Sequence, residues 1–166
     1  MIKLTKTVIT EAKKQKTLLS AFFLFILMLS PIHSSWAQTV DSNMTENETI
    51  IREFIAAWSN LDADELSAYF TEDGTYYNMP TQPISGRDNV RNFIANFMQP
   101  WESTDWEILN LLVEGDVVMV ERVDHTVALG NEIDLPCLGY FLMEDGKIKM
   151  WRDYFDLATY TSALSP

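Results

Sequence analysis

Val117-Val118-Met119-Val120-Glu121-Arg122-Val123-Asp124-His125-Thr126-Val127-Ala128-Leu129 repeats with a period of two, the spacing of a β-strand, and that reading decides the fold. Alternation puts Val118, Val120, Arg122, Asp124 and Thr126 on one face and Met119, Glu121, Val123, His125 and Val127 on the other. The same period extends outward, before it near Trp106 to Val113 and after it over Glu132 to Met143 and Lys147 to Asp156. The separators Glu114-Gly115-Asp116, Gly130-Asn131 and Glu144-Asp145-Gly146 are short, glycine-containing connections of the kind hairpins use, so the second half of the chain reads as an antiparallel meander.

Upstream the period lengthens. Thr45 and Glu48 have the spacing of a capping box, and Ile50, Ile51, Phe54, Ile55 and Trp58 recur on one helical face as far as Asn60. A second helix is expected from an N-cap at Asp62, with Leu66, Tyr69 and Phe70 on its buried side and a turn at Glu72-Asp73-Gly74. Thr75 to Asn78 then reads as a short strand stopped by Pro80, and Arg87 to Met98 as a third helix through Val90, Phe93, Ile94 and Phe97. Helices first and a meander second predict an α+β domain in which N-terminal helices cover one face of a curved sheet and enclose a pocket.

The first 37 residues have a different character. Lys3, Lys6, Lys13, Lys14 and Lys16 precede a run from Leu18 to Leu29 that is apolar apart from Ser20, and Ser35-Trp36-Ala37 offers small residues where a signal peptidase reads. A run this short of the ~20 residues of a membrane span predicts a signal peptide at 1–37, cleaved before Gln38, and export to the periplasm or beyond. The same residues could instead stay attached as an anchor. Residues 38–44 are expected as a flexible lead-in to a single domain at 45–166, the 129 residues after the cut being enough for one core and too few for two.

The whole chain holds 12 Lys and Arg against 24 Asp and Glu; the leader takes five lysines and Glu11, which leaves a net charge of −16. Such a surface repels phosphate backbones and anionic lipid, which argues against nucleic acid and against a membrane beyond the export signal. A neutral or cationic small molecule is the expected partner. Cys137 is the only cysteine, so the domain has no internal disulfide, and its apolar neighbours Leu135, Leu138 and Phe141 suggest an inert packing residue.

Reaction classes fall away by residue count. With His125 and Cys137 single in the domain, a zinc site or a Ser-His-Asp site lacks the groups it requires, and His125 points away from Asp124; no glycine-rich phosphate loop is present. Carboxylate chemistry remains. Arg122 and Asp124 project together about 7 Å apart along one strand. On the last strand Asp153 lies between Trp151 and Phe155 on one face. A charge on an apolar face needs a partner, and one guanidinium between Asp124 and Asp153 would serve both. Spacing alone fits a structural ion network equally well.

Taken together, Tyr76-Tyr77-Asn78-Met79-Pro80, Gly86-Arg87-Asp88, Glu121-Arg122-Val123-Asp124, Gly146-Lys147-Ile148 and Trp151-Arg152-Asp153-Tyr154-Phe155-Asp156-Leu157 resemble the limonene-1,2-epoxide hydrolase family in order and approximate spacing. The resemblance spans nearly the whole domain. It implies the cone of the SnoaL-like, NTF2-like superfamily, with a curved, mostly antiparallel mixed sheet. It implies a homodimer and no cofactor or metal. By position it implies Tyr76 and Asn78 as holders of a water, Arg122 as the bridge, Asp124 as acid and Asp153 as base, with Thr126, Trp151 and Phe155 at the substrate pocket. The implied reaction is addition of water to a small hydrophobic epoxide, giving a vicinal diol with no covalent intermediate. Two features depart from the resemblance: Thr126 where a terpene pocket should be apolar, and the export signal. They leave open an exported SnoaL-like protein that binds a small hydrophobic ligand without hydrolysis, and, further off, an isomerase using Asp153.

Overall fold

The computed structural model describes residues 36–164, with side chains from Glu46 onward, so residues 1–35 of the expected leader lie outside the described residues. One sheet organises the rest. Its strands are β1 (Phe70–Asn78), β2 (Ile84–Ser85), β3 (Trp101–Glu114), β4 (Val117–Ala128), β5 (Asn131–Glu144) and β6 (Lys147–Phe155), in the spatial order β2-β1-β6-β5-β4-β3. The expected meander is β3 to β6, antiparallel throughout, whereas β1 lies parallel to β6 and makes the sheet mixed. The sheet stays open, and breaks of register in β3 and between Leu142 and Met143 bend it, because an extra residue on one strand adds local twist.

Burial follows the predicted alternation. Along β4, Val118, Val120, Arg122, Asp124 and Thr126 are buried, while Met119 and Glu121 are exposed. The helices pack on that buried face. Helix α1 (Trp36–Ala57) brings Ile51, Phe54 and Ile55, and the 3-10 turn Trp58–Asn60 brings Trp58, one stripe at helical spacing. They meet Val118, Val120, Phe141, Ile148 and Trp151 in one core. Helix α3 (Arg87–Phe97) adds Val90 and Ile94. Among the described residues nothing covers the opposite face of the sheet, where Leu109, Leu112, Met119, Leu138 and Tyr154 are exposed.

Several boundaries differ from expectation. Helix α1 starts upstream of Thr45, so Thr45 and Glu48 do not open it; Glu48 pairs instead with Arg52 one turn on, at 2.8 Å. Asp62 does cap α2 (Ala63–Ala68), accepting from the Asp64 and Glu65 amides at 2.9 and 3.1 Å. That helix ends before Phe70, which begins β1, and Glu72-Asp73-Gly74 lies within the strand rather than in a turn. Parallel pairing with β6 overrides the turn composition: a Cβ on Gly74 would sit 3.0 Å from the Ile148 carbonyl, and a register shift between Phe70 and Thr75 absorbs the extra residues. β3 begins at Trp101, five residues earlier than its clear alternation, and β2 was not expected.

The β4–β5 turn is Leu129-Gly130 rather than Gly130-Asn131. Both residues have positive φ, 51° and 75°, as tight hairpins demand, and Leu129 bears the strain of a branched side chain there. Beyond β6, Asp156 is not strand but the N-cap of a further helix, α4 (Leu157–Ala163), accepting from the Ala158 amide at 3.0 Å. Helix α4 buries one side chain, Tyr160, against Ala128, Ile133, Leu135 and Cys137.

Candidate active site

Three strands carry the charged centre. Arg122 on β4 and Asp153 on β6 flank β5, whose inward residues between them are Cys137 and Gly139. Gly139 is the gap through which the guanidinium crosses β5. A Cβ there would stand 3.0 Å from Arg122 Nη1 and 2.8 Å from the Phe141 ring. The sequence gives no sign of this role, because a glycine inside a strand pattern more often marks a bulge.

Across that gap Arg122 makes four hydrogen bonds to two carboxylates. Nε and Nη2 donate to Asp124 Oδ1 and Oδ2 at 2.7 and 3.1 Å, and Nη1 and Nη2 donate to Asp153 Oδ1 and Oδ2 at 2.9 and 2.7 Å. All three side chains are buried. One face of the guanidinium rests on Trp106, 4.4 Å from the ring centre, an attraction strengthened by desolvation. Two carboxylates facing one cation leave an excess negative charge in a dry site. Burial first, and the neighbouring Asp153 charge with it, push the Asp124 carboxyl up to about 6 against the pull of Arg122. Asp124 is therefore the carboxyl predisposed to hold a proton.

Cys137 is buried as expected, yet it is not only packing. Its thiol donates to Asp124 Oδ2 at 3.3 Å, and burial beside the Asp124 charge pushes its ionisation far above the ordinary thiol range, so it offers no thiolate. Ligand atoms of Asp124, Cys137 and Asp153 lie within 4.8 Å of one another, but the guanidinium already bridges the carboxylates and supplies the cation. His125 is exposed on the other face, 2.7 Å from Asp134, whose carboxylate raises its affinity for a proton.

β1 supplies the remaining pair. Its parallel register sets Asn78 beside Asp153 and Tyr76 beside Trp151. The Tyr76 ring stacks on Trp151 at 4.0 Å, and burial keeps its hydroxyl protonated, a neutral donor. Asn78 Oδ1 is buried without a hydrogen-bond partner among the described residues. An orphaned acceptor of this kind is costly unless a water meets it. A cavity of about 20 Å³ adjoins it, lined by Tyr76, Asn78, Asp124 and Asp153 at one end and by Phe97, Trp101, Trp106, Thr126, Ile133, Leu135, Phe155 and Tyr160 elsewhere. That volume matches roughly one water molecule.

All five residues expected to carry chemistry thus converge on one cavity: Tyr76, Asn78, Asp124 and Asp153 line it, and Arg122 holds the two carboxylates from behind. Of the expected pocket residues, Thr126 and Phe155 line it and Trp151 does not. Trp151 stands one layer deeper, between Tyr76 and Phe141, because its place in β6 faces α1. The aromatic walls Phe97, Trp101, Trp106 and Tyr160 come from α3, β3 and α4 and were not foreseen. Trp101 Nε1 donates to the Tyr160 hydroxyl at 2.9 Å, fastening α4 over the cavity.

Comparison with known proteins agrees with this geometry. The SnoaL-like domain family matches residues 51–151. Epoxide hydrolase EphG of Mycobacterium tuberculosis is 28% identical over 107 residues, covering 64% of this chain and 71% of that protein. The structure of an M. tuberculosis LEH-like epoxide hydrolase superposes with a TM-score of 0.64 at 27% identity, over 73% of this chain and 91% of that one. A phenazine biosynthesis-related protein from Pseudomonas aeruginosa shares the fold, with a TM-score of 0.67 at 18% identity, over 76% of this chain and 90% of that one.

Proposed function

This chain belongs to the SnoaL-like domain family, and from that premise we propose that it is an epoxide hydrolase, adding water to a small hydrophobic epoxide to give a vicinal diol. The observation that carries the proposal is the buried Asp124-Arg122-Asp153 bridge beside the unpartnered Asn78 oxygen. Epoxide opening needs a proton given to the departing ring oxygen and a proton taken from the attacking water. Asp124, its carboxyl raised by burial, is the donor. Asp153 is the base. A water in the cavity gives one proton to Asp153 and one hydrogen bond to Asn78 Oδ1, accepts from the Tyr76 hydroxyl, and turns its remaining lone pair on the epoxide carbon.

As the C–O bond breaks, Asp124 loses its proton and Asp153 gains one, so the pair keeps a single negative charge and Arg122 sees no change in total. That constancy lets a rigid, dry site run the step with little rearrangement. No covalent intermediate is required. The direct test is diol formation from a panel of cyclic and aliphatic epoxides by protein beginning at Gln38, in water labelled with heavy oxygen. Single incorporation into the diol, with no label retained in the protein, is the expected result; no turnover across the panel overturns the reading.

A pH dependence follows. Asp124 must be protonated, and its carboxyl is raised to about 6, so log kcat/KM falls with a slope near −1 as pH rises past that region. A rate that is level from pH 5 to 9 contradicts the assignment of Asp124 as acid.

We propose in addition a homodimer. The bare sheet face supports it, where Leu109, Leu112, Met119, Leu138 and Tyr154 form an apolar surface of the kind that marks an interface. Sedimentation is expected to give twice the chain mass, reduced to one chain by Leu138→Glu. A monomeric parent protein removes the proposal.

A further inference from the structure

We propose that Thr126 is a specificity residue that binds a hydroxyl group of the substrate, so that the favoured epoxides are hydroxylated rather than pure hydrocarbons. This deepens the hydrolase reading and rests on it. Thr126 is on β4 two residues beyond Asp124, about 7 Å along the strand from the acid, and it lines the cavity wall that is otherwise largely apolar. Its side chain is buried. Its Oγ1 has one hydrogen-bond partner among the described residues, the Thr104 hydroxyl, so part of its hydrogen-bonding capacity is unfilled.

The proton count shows why. Thr104 stands opposite Thr126 in the β3–β4 register, with the two Oγ1 atoms 2.8 Å apart. Trp106 Nε1, which can only donate, gives its hydrogen to Thr104 Oγ1 at 3.0 Å. Thr104 has one proton to place, either on the His125 carbonyl at 3.2 Å or on Thr126 Oγ1. In the first case Thr126 donates to Thr104, and its own lone pairs are left unfilled. In the second, Thr126 accepts from Thr104 and its own proton is left unplaced. Rotation of two hydroxyls interconverts the cases, so Thr126 offers an acceptor in one and a donor in the other.

A ligand hydroxyl is both donor and acceptor and is served in either arrangement; a carbonyl or ether is served in one only. A methyl group in the same position leaves that remaining capacity of the buried hydroxyl unfilled, which is where discrimination arises. The Trp106 indole fixes the arrangement from behind and also lies against Arg122, so the subsite and the acid are held by one rigid ring. The distance along β4 puts the bound hydroxyl a few carbon atoms from the epoxide ring, which selects a chain or ring oxygenated away from the reacting carbons.

The test compares 6-hydroxy-1,2-epoxyhexane with 1,2-epoxyheptane, which replaces the hydroxyl by a methyl, using the full domain and its Thr126→Val and Thr126→Ser variants. The parent is expected to prefer the hydroxy-epoxide about tenfold in kcat/KM, the scale of one net hydrogen bond. Thr126→Val should abolish the preference, and Thr126→Ser should keep it. Equal ratios in parent and Thr126→Val overturn the proposal and leave the hydrolase standing. If no protein opens either epoxide the hydrolase reading falls, and calorimetric binding of hexane-1,2,6-triol against heptane-1,2-diol then decides the subsite. A triol preference confined to parent and Thr126→Ser supports the subsite, and equal binding by all three proteins overturns it.

Discussion

Asp153→Asn is expected to lower kcat/KM for epoxide opening by about 10³-fold, within the range of 10²–10⁴ associated with a positioned proton-transfer group. The substitution is isosteric, so the cavity keeps its volume and Asn78 keeps its neighbour. What disappears is basicity: an amide cannot take the water's proton. The amide nitrogen also faces the Arg122 Nη donors, which now hold Asp153 at 2.7 and 2.9 Å, so part of the bridge is lost as well. The comparison is made on folded protein, with thermal midpoints for both. A variant that retains a tenth or more of the parent rate removes Asp153 from the role of base.

The second large effect is on stability. Arg122→Met removes the one cation from a site containing two buried carboxyls, and breaking a buried pair in this way costs about 3–5 kcal/mol. The cost should depend on pH in a definite direction. Without the guanidinium, the carboxyls left behind hold protons more tightly in the folded state than in the unfolded chain. Their stabilising contribution is then full below the unfolded carboxyl value of about 4 and is lost as pH rises. Unfolding by urea from pH 4 to 8 should show the deficit of Arg122→Met growing towards neutral pH. A deficit independent of pH shows that lost packing against Trp106, rather than uncompensated charge, explains the effect.

What the sequence disclosed depended on whether a residue's role followed from its own strand. The inward face of β4 was legible because period-two alternation over a long run admits one register relative to the core, and Arg122, Asp124 and Thr126 came with it. Asn78 beside Asp153 was not legible from spacing, since it requires the parallel pairing of β1 with β6, a contact between distant parts of the chain. The resemblance to epoxide hydrolases supplied that link. Gly139 escaped notice for the opposite reason: its contribution is the side chain it lacks, and what fills the gap belongs to β4. Helix α4 was hidden because Asp156-Leu157 continues the alternation of β6 until the Asp156 carboxylate turns back to cap a helix.

The cavity has room for about one water and no organic molecule, and one of its walls is a helix held by the single buried side chain of Tyr160. A substrate therefore enters only when that wall stands aside. Observed affinity is the intrinsic affinity multiplied by the fraction standing open, so substitutions in Trp101 or Tyr160 act first on how often the door is ajar. Weakening that latch would strengthen apparent binding by raising the open fraction.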